Sequence, residues 1–235
     1  MGIDNEPVAA TVARLVAGRV GSVESVAGGD ICAAYRVRLT NGRTVFAKSR
    51  PNSPPAFFAT EAAGLTRLAK VEGGVPVPAV VAYDSRCLVL EWVEPGPSTV
   101  PAAERFGRAL ARTHRAGTEV FGSAEGDGWI ADLVLPGGPW HTWVDLWVEG
   151  RIRPYLQAAV DRGAVQLSDT RDIERVLAVL PELAGPVESP ALIHGDLWAG
   201  NVIWGADGWA RLVDPAVHGG HRETDLAMLA LFGLA

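Results

Sequence analysis

Ile193-His194-Gly195-Asp196-Leu197-Trp198-Ala199-Gly200-Asn201 is the stretch that decides how this 235-residue chain is read. It spells H-G-D-x-x-x-x-N. The apolar pair Leu192-Ile193 leads in, and a predicted hairpin, 202–204 to 209–213, leads out to Asp214. Phosphoryl transfer is mostly positioning and charge neutralisation, with little covalent work for the protein. It asks for one carboxylate to accept the proton of an attacking hydroxyl. It also asks for a pair of oxygen ligands to hold Mg²⁺ against the phosphates. Asp196, then Asn201, then Asp214 beyond a hairpin, supply that set in the order of a kinase catalytic loop. The plain alternative is a Gly195-Asp196 turn between two strands, capped by Asn201. Residues upstream bear on the choice.

Between residues 20 and 50 the pattern is strand, Gly-rich turn (Gly28-Gly29-Asp30), strand, turn, strand. Asn41-Gly42 signals a two-residue hairpin, and the return strand carries Lys48 in Phe46-Ala47-Lys48. A Gly-rich turn lets backbone N–H groups approach a phosphate, and a lysine two strands on can reach it. Gly28-Gly29 is not G-x-G-x-x-G and can equally be a simple turn. Residues 56–70 have helical spacing, with Phe57, Phe58, Leu65 and Leu68 apolar and Glu61 among them. Packed on the sheet, that helix could set the Glu61 carboxylate on Lys48; a solvated Glu is the alternative. Residues 86–93 form a strand that runs into Glu94-Pro95-Gly96-Pro97. Its unpaired backbone groups at Glu91, Trp92 and Val93 can read an adenine edge. The composition turns helical beyond this point. Two units are therefore expected: residues 1–93, binding ATP, and residues 94–235, holding the catalytic and substrate groups.

Helices are expected over 7–17, 102–116, 140–162, 169–180 and 225–232. The second carries His114 in its core stripe. The third carries Trp140, Trp143 and Trp147 on one face. The fourth turns Ile173, Val176, Leu177 and Leu180 inward, and the fifth is capped by Thr224 or Asp225. Of the eight tryptophans, Trp143, Trp147, Trp204 and Trp209 read as packing residues. Trp198, inside the loop, reads as a substrate contact. His218 and His221 lack a third ligand at zinc spacing.

A net charge of −6 disfavours nucleic acid or an anionic membrane as partner. No apolar run reaches the length of a membrane span. The acidic start lacks a secretory signal, and Cys32 and Cys87 form no disulfide framework, so a cytoplasmic protein is expected. Of 21 Lys plus Arg, only Lys48 and Lys70 are lysines. A lysine kept inside an apolar strand suggests that a compact ammonium is needed there.

Asp30-Ile31 with Tyr35, the F-A-K strand, Leu90-Glu91, H-G-D-L-W-x-G-N at 194–201, D-P-A at 214–216 and R-E-x-D-L-A-M at 222–228 together resemble the fructosamine kinase (ketosamine 3-kinase) family. The resemblance covers most of the chain. It implies an α+β, two-lobed, protein-kinase-like fold. A small antiparallel sheet with one main helix forms the first lobe, and a mostly helical second lobe is C-terminally short. It implies transfer of the ATP γ-phosphate to the 3-hydroxyl of a ketoamine on a small amine or a protein lysine, after which the adduct falls apart. Asp196 would accept the proton, and Asn201 and Asp214 would hold Mg²⁺. Lys48 would meet the phosphates, with Glu61 fixing it. Gly28, Gly29, Asp30 and Glu91 to Val93 would surround the nucleotide. Asp225 would hold the catalytic-loop backbone. His218, where relatives often have Tyr, would join Trp198 on the substrate side. Some members carry a redox-sensitive cysteine directly after the loop glycines; here Asp30 stands there, and that switch does not carry over. Two other functions fit the same motifs: a phosphotransferase for another small hydroxyl, such as an aminoglycoside or choline, and a nucleotide-binding module impaired by a short C-terminus. The oligomeric state is open.

Overall fold

Period-two alternation sorts the N-terminal strands into two faces, and that sorting aims Lys48. The structure is a computed structural model and describes residues 6–27, 31–166 and 168–233. Strands β1 (Val20–Ser25), β2 (Ala33–Leu39), β3 (Thr44–Ser49), β4 (Val80–Tyr83) and β5 (Cys87–Glu91) form an antiparallel sheet in the order β1-β2-β3-β5-β4. β3 is central, with Lys48 opposite Ala34 on one side and Leu88 on the other. Successive strand residues point to opposite faces. Val45 and Ala47 enter the layer with Val37 and Val89, covered by Val8 and Val12 of α1 (Glu6–Leu15). Phe46 and Lys48 face the other way, towards α2 (Phe57–Ala69). There Phe58, Ala62 and Leu65 pack on Leu88 and Leu90, each large apolar side chain contributing about 2 kcal/mol on burial. Glu61 lies on the same buried stripe of α2, at helical spacing from Phe58 and Leu65. Helix period and strand period together therefore bring it over Lys48.

The second part is mostly helical and is built on α3 (Val100–Arg115). The Thr99 hydroxyl caps α3 by accepting from Ala102 N at 3.3 Å, and a proline sits in its first turn. Phe106, Ala109 and Leu110 of α3 bury against Leu197, Val202, Trp204 and Leu212. Those partners come from two short antiparallel ladders. β8 (Ala191–Ile193) pairs with β11 (His218–Gly220), and β9 (Val202–Trp204) pairs with β10 (Ala210–Leu212). The H-G-D loop leaves from β8 and Asp214 follows β10, so the loop's two ends are fixed by strand pairs. The remaining elements are β6 (Gly128–Ile130), β7 (Leu133–Leu135), α4 (Trp143–Asp145), a π-helical segment (Leu146–Ile152), α5 (Arg153–Asp161), α6 (Thr170–Leu183) and α7 (Glu223–Phe232). None of these helices is long and apolar enough to cross a membrane.

The β6–β7 hairpin ties the two parts together. The Trp129 ring lies 6.1 Å from Phe57 of α2, and Asp132 pairs with Arg50 at 2.7 Å. On the other side Tyr155 of α5 donates to the Val134 carbonyl at 2.9 Å.

Several expectations change. The β2–β3 turn is a three-residue loop, Thr40-Asn41-Gly42, rather than a two-residue one. Leu39 N donates to Arg43 O, and Gly42 takes φ 87° as the left-handed residue after the turn. Trp140 is not on the helix; its backbone pairs with Phe121 instead. On α6 only Leu177 is buried, while Ile173 and Val176 are exposed, and the helix runs through Pro181 to Leu183. Trp209 is exposed, with the Arg105 guanidinium 5.6 Å from its ring, so it is no core residue. Residues 117–139 and 215–224, to which the sequence assigns no element, contain β6, β7 and β11.

If Trp129 and Asp132 carry the link between the parts, the double variant Trp129→Ala, Asp132→Ala exchanges amide hydrogens faster across 128–135 while Val37 and Val89 stay protected. Unchanged exchange in the hairpin rejects that role.

Candidate active site

Lys48 is the meeting point of the two halves. Its ammonium lies 3.0 Å from Glu61 Oε2 and 2.9 Å from Asp214 Oδ1. Burial works against its charge, but the Glu61 and Asp214 carboxylates outweigh it and hold the ammonium above its ordinary range. Burial pushes the Glu61 carboxyl up to about 7, with Lys48 pulling it down and Asp214 adding to the rise. Asp214 itself sits at φ 53°. A non-glycine residue in the left-handed region costs on the order of 1 kcal/mol and persists where its surroundings fix it. Here the ion pair with Lys48 and the β9–β10 ladder do so.

The loop that carries Asp196 is held from below by Asp225. Helix α7 starts at Glu223, and Asp225 does not cap it; its carboxylate turns inward. Oδ2 accepts from His194 N at 2.9 Å, and Oδ1 accepts from Gly195 N at 3.0 Å. Oδ2 also meets His114 Nε2 at 2.8 Å, so the buried His114 has a partner. His194 is fully buried, and burial holds its ring below the ordinary histidine range. Its Nε2 donates to the Val213 carbonyl at 2.9 Å, leaving Nδ1 to accept from Asp196 N at 3.3 Å. Gly195 takes φ 83°, and a Cβ there would stand 2.3 Å from the Ala216 carbonyl oxygen. Only glycine fits.

Asn201 closes the loop. Its Nδ2 donates to Asp196 O at 2.7 Å and to Asp196 Oδ2 at 3.0 Å. The carboxamide oxygen is thereby turned away from that carboxylate. With Asp214 it offers two oxygen donors, the ligand chemistry a hard divalent cation takes. Among the described residues no cluster of three or more His, Cys, Asp or Glu is placed to hold a metal, and an ion bound partly by phosphates needs none. Burial raises the Asp196 carboxyl, helped by the Asp214 and Asp225 charges and opposed by His194 and Asn201. A raised carboxylate is better matched to taking a proton near neutral pH.

These groups share one cleft of about 650 Å³, lined by Lys48, Glu61, Asp196, Asn201 and Asp214. Trp198 and His218 line it as well. The Trp198 ring lies over Gly200, where a Cβ would come within 2.2 Å of it. His218 is buried; its Nδ1 lies 2.7 Å from the Ala216 carbonyl, and burial with the nearby Arg151 charge lowers its pKa to about 4. Glu91, Trp92 and Val93 do not line this cleft. Glu91 N donates to Ala79 O, and the Trp92 indole donates to Glu94 with Arg36 over its ring. Gly28, Gly29 and Asp30 lie outside the described residues. Sequence reasoning missed Arg67 and Arg151, which also line the cleft. Their spacing carries no motif, and only the tertiary fold gathers them.

A fructosamine kinase family profile matches residues 9–234. A Thermus thermophilus protein provisionally named a ketoamine kinase is 38% identical over 88% of this chain and 71% of its own length. An Enterococcus faecium protein with the same provisional name is 34% identical over 91% of this chain and 76% of its own. A crystal structure from Thermobifida fusca, provisionally named fructosamine-3-kinase, superposes with a TM-score of 0.90 at 46% identity, covering 100% of this chain and 81% of that one. An aminoglycoside phosphotransferase solved with ADP and hygromycin B superposes at 0.64 with 14% identity, over 95% of this chain and 76% of that one, which shows the shared two-lobed kinase-like fold.

Two outcomes follow from the geometry. Asp225→Ala leaves two buried backbone donors and His114 without their acceptor, so chemical denaturation should show a loss of about 3–5 kcal/mol; a loss under 1 kcal/mol rejects the anchoring role. His218 is held neutral in the fold, so its contribution is complete above pH 6.5 and is lost as pH falls towards 4. The size is on the order of 3 kcal/mol. His218→Asn should flatten stability against pH across that window, and an unchanged slope rejects the assignment.

Proposed function

The chain belongs to the fructosamine kinase family, and from that membership we propose that it moves the γ-phosphoryl group of ATP to the 3-hydroxyl of a ketoamine. The acceptor is a fructosyl or ribulosyl adduct on a small amine or a lysine side chain. The new 3-phosphate is a leaving group, and its loss lets the sugar detach from the amine, which is deglycation. The observation that carries this reading is the convergence of Asp196, Asn201, Asp214 and the Lys48–Glu61 pair on one cleft that Trp198 also lines.

Each side chain has a task that its surroundings suit. Asp196 takes the proton of the acceptor hydroxyl as that oxygen bonds to phosphorus and the bond to the ADP oxygen breaks. Its carboxylate is oriented by Asn201 Nδ2 and its backbone by His194. Lys48, fixed by Glu61, presents a compact charge to the donor's phosphates. Asn201 and Asp214 are the residues that would hold Mg²⁺, which supplies neutralisation of phosphate charge. Trp198 offers an aromatic face to the apolar side of a sugar.

The test is direct. Incubation with ATP and ribulosyl- or fructosyl-lysine should give phosphorylated ketoamine by mass spectrometry, with an aminoglycoside and choline as competing acceptors. ATP binding without a product from any ketoamine rejects the substrate class. Asp196→Ala should lose about 10³-fold in turnover while ATP binding persists; near-normal turnover rejects Asp196 as proton acceptor.

A further inference from the structure

Among the described residues, eight of the nineteen arginines pair with a carboxylate. Arg50 pairs with Asp132, Arg153 with Glu149 and Glu174, Arg211 with Asp207, and Arg222 with Glu188. Two of the others, Arg67 and Arg151, line the cleft. Arg151, in the π-helical segment, spends Nη1 on the carbonyls of Pro136 and Gly150, both at 2.9 Å. Its Nη2 is buried and has no hydrogen-bond partner among the described residues. Arg67, on α2, lines the same cleft, and its guanidinium has neither an ion pair nor a hydrogen bond among the described residues.

No carboxylate of the cleft lies within ion-pair distance of either guanidinium among the described residues. Glu61 and Asp214 are held by Lys48, Asp196 by Asn201, and Asp127 by Gly137 N at 2.8 Å. Glu125 is exposed. His218 lies near both guanidiniums and stays neutral beside them, so it adds no competing charge. A buried guanidinium N–H without an acceptor is costly. A planar fork of donors is the recognised chemistry for a carboxylate or phosphate. A π-bulge is also a place where helices present side chains to sites.

We propose that Arg67 and Arg151 form an anion-reading subsite for the acceptor, so that the favoured ketoamine carries a fixed negative group beside its reacting sugar. This rests on the ketoamine kinase reading and narrows its substrate. The anion is either a carboxylate on the amine carrier or a phosphate on the sugar.

Three acceptors distinguish the cases in the unmodified protein: the fructosyl adduct of glycine, the fructosyl adduct of glycinamide, and the 6-phosphate of the glycinamide adduct. A kcat/KM for the glycine adduct about 10- to 100-fold above that for glycinamide assigns the carboxylate. The same preference for the 6-phosphate assigns the sugar phosphate. Equal kcat/KM on all three overturns the subsite and leaves the kinase reading intact. Transfer to none of them overturns both. Arg151→Gln disturbs the Pro136 and Gly150 contacts, so Arg67→Gln, which breaks no side-chain hydrogen bond or ion pair among the described residues, is the paired variant. Each should lower kcat/KM for the favoured anionic acceptor at least about tenfold more than for glycinamide, and equal losses on the two acceptors overturn the assignment.

Discussion

One buried ammonium shared by two carboxylates is the constraint on which the rest depends. Lys48 comes from the centre of the sheet, Glu61 from the helix on that sheet, and Asp214 from the far side of the catalytic hairpin. Two unlike charges in a dry site gain little unless both are fully paired, and losing either leaves the other stranded. The triad is therefore sensitive to any movement of the sheet relative to the loop. It makes the position of α2 a condition for the position of Asp214. The β6–β7 hairpin reinforces the same relation at the mouth of the cleft through Trp129 and Asp132.

The loop around Asp196 is tied down on several sides. His194, Gly195 and Asn201 are tied to Asp225, Ala216 and Val213 by backbone or buried hydrogen bonds. Asp196 keeps one carboxylate oxygen outside the Asn201 bond. A rigid frame around one available oxygen suits the proton-accepting role proposed for Asp196.

What could be read from the sequence was what short-range rules determine. Strand and helix periods put Lys48 and Glu61 on facing sides of a sheet and a helix, and the spacing from Asp196 to Asn201 defines a loop. Asp214 follows because a hairpin returns the chain to where it left. The unread parts depend on contacts distant in sequence. β11 is three residues, His218–Gly220, and exists because β8 lies beside it. Trp140 leaves its apparent helical stripe because Phe121 pairs with its backbone. Helix α6 keeps an amphipathic pattern, yet buries only Leu177. Arg67 and Arg151 lie 84 positions apart and meet only through the fold.

The burial of Lys48 has a chemical side unrelated to phosphate. Amines add to the carbonyl of a sugar in their unprotonated, accessible form. Of the two lysines in the chain, Lys48 is only 12% exposed in its side chain and is held protonated by two carboxylates. Apart from Lys70, the remaining side-chain positive charge is carried by guanidinium, which stays protonated at neutral pH. A protein proposed to clear sugar from lysine thus offers almost no lysine of its own to be modified, and the one its site needs is shielded by the same pairs that position it.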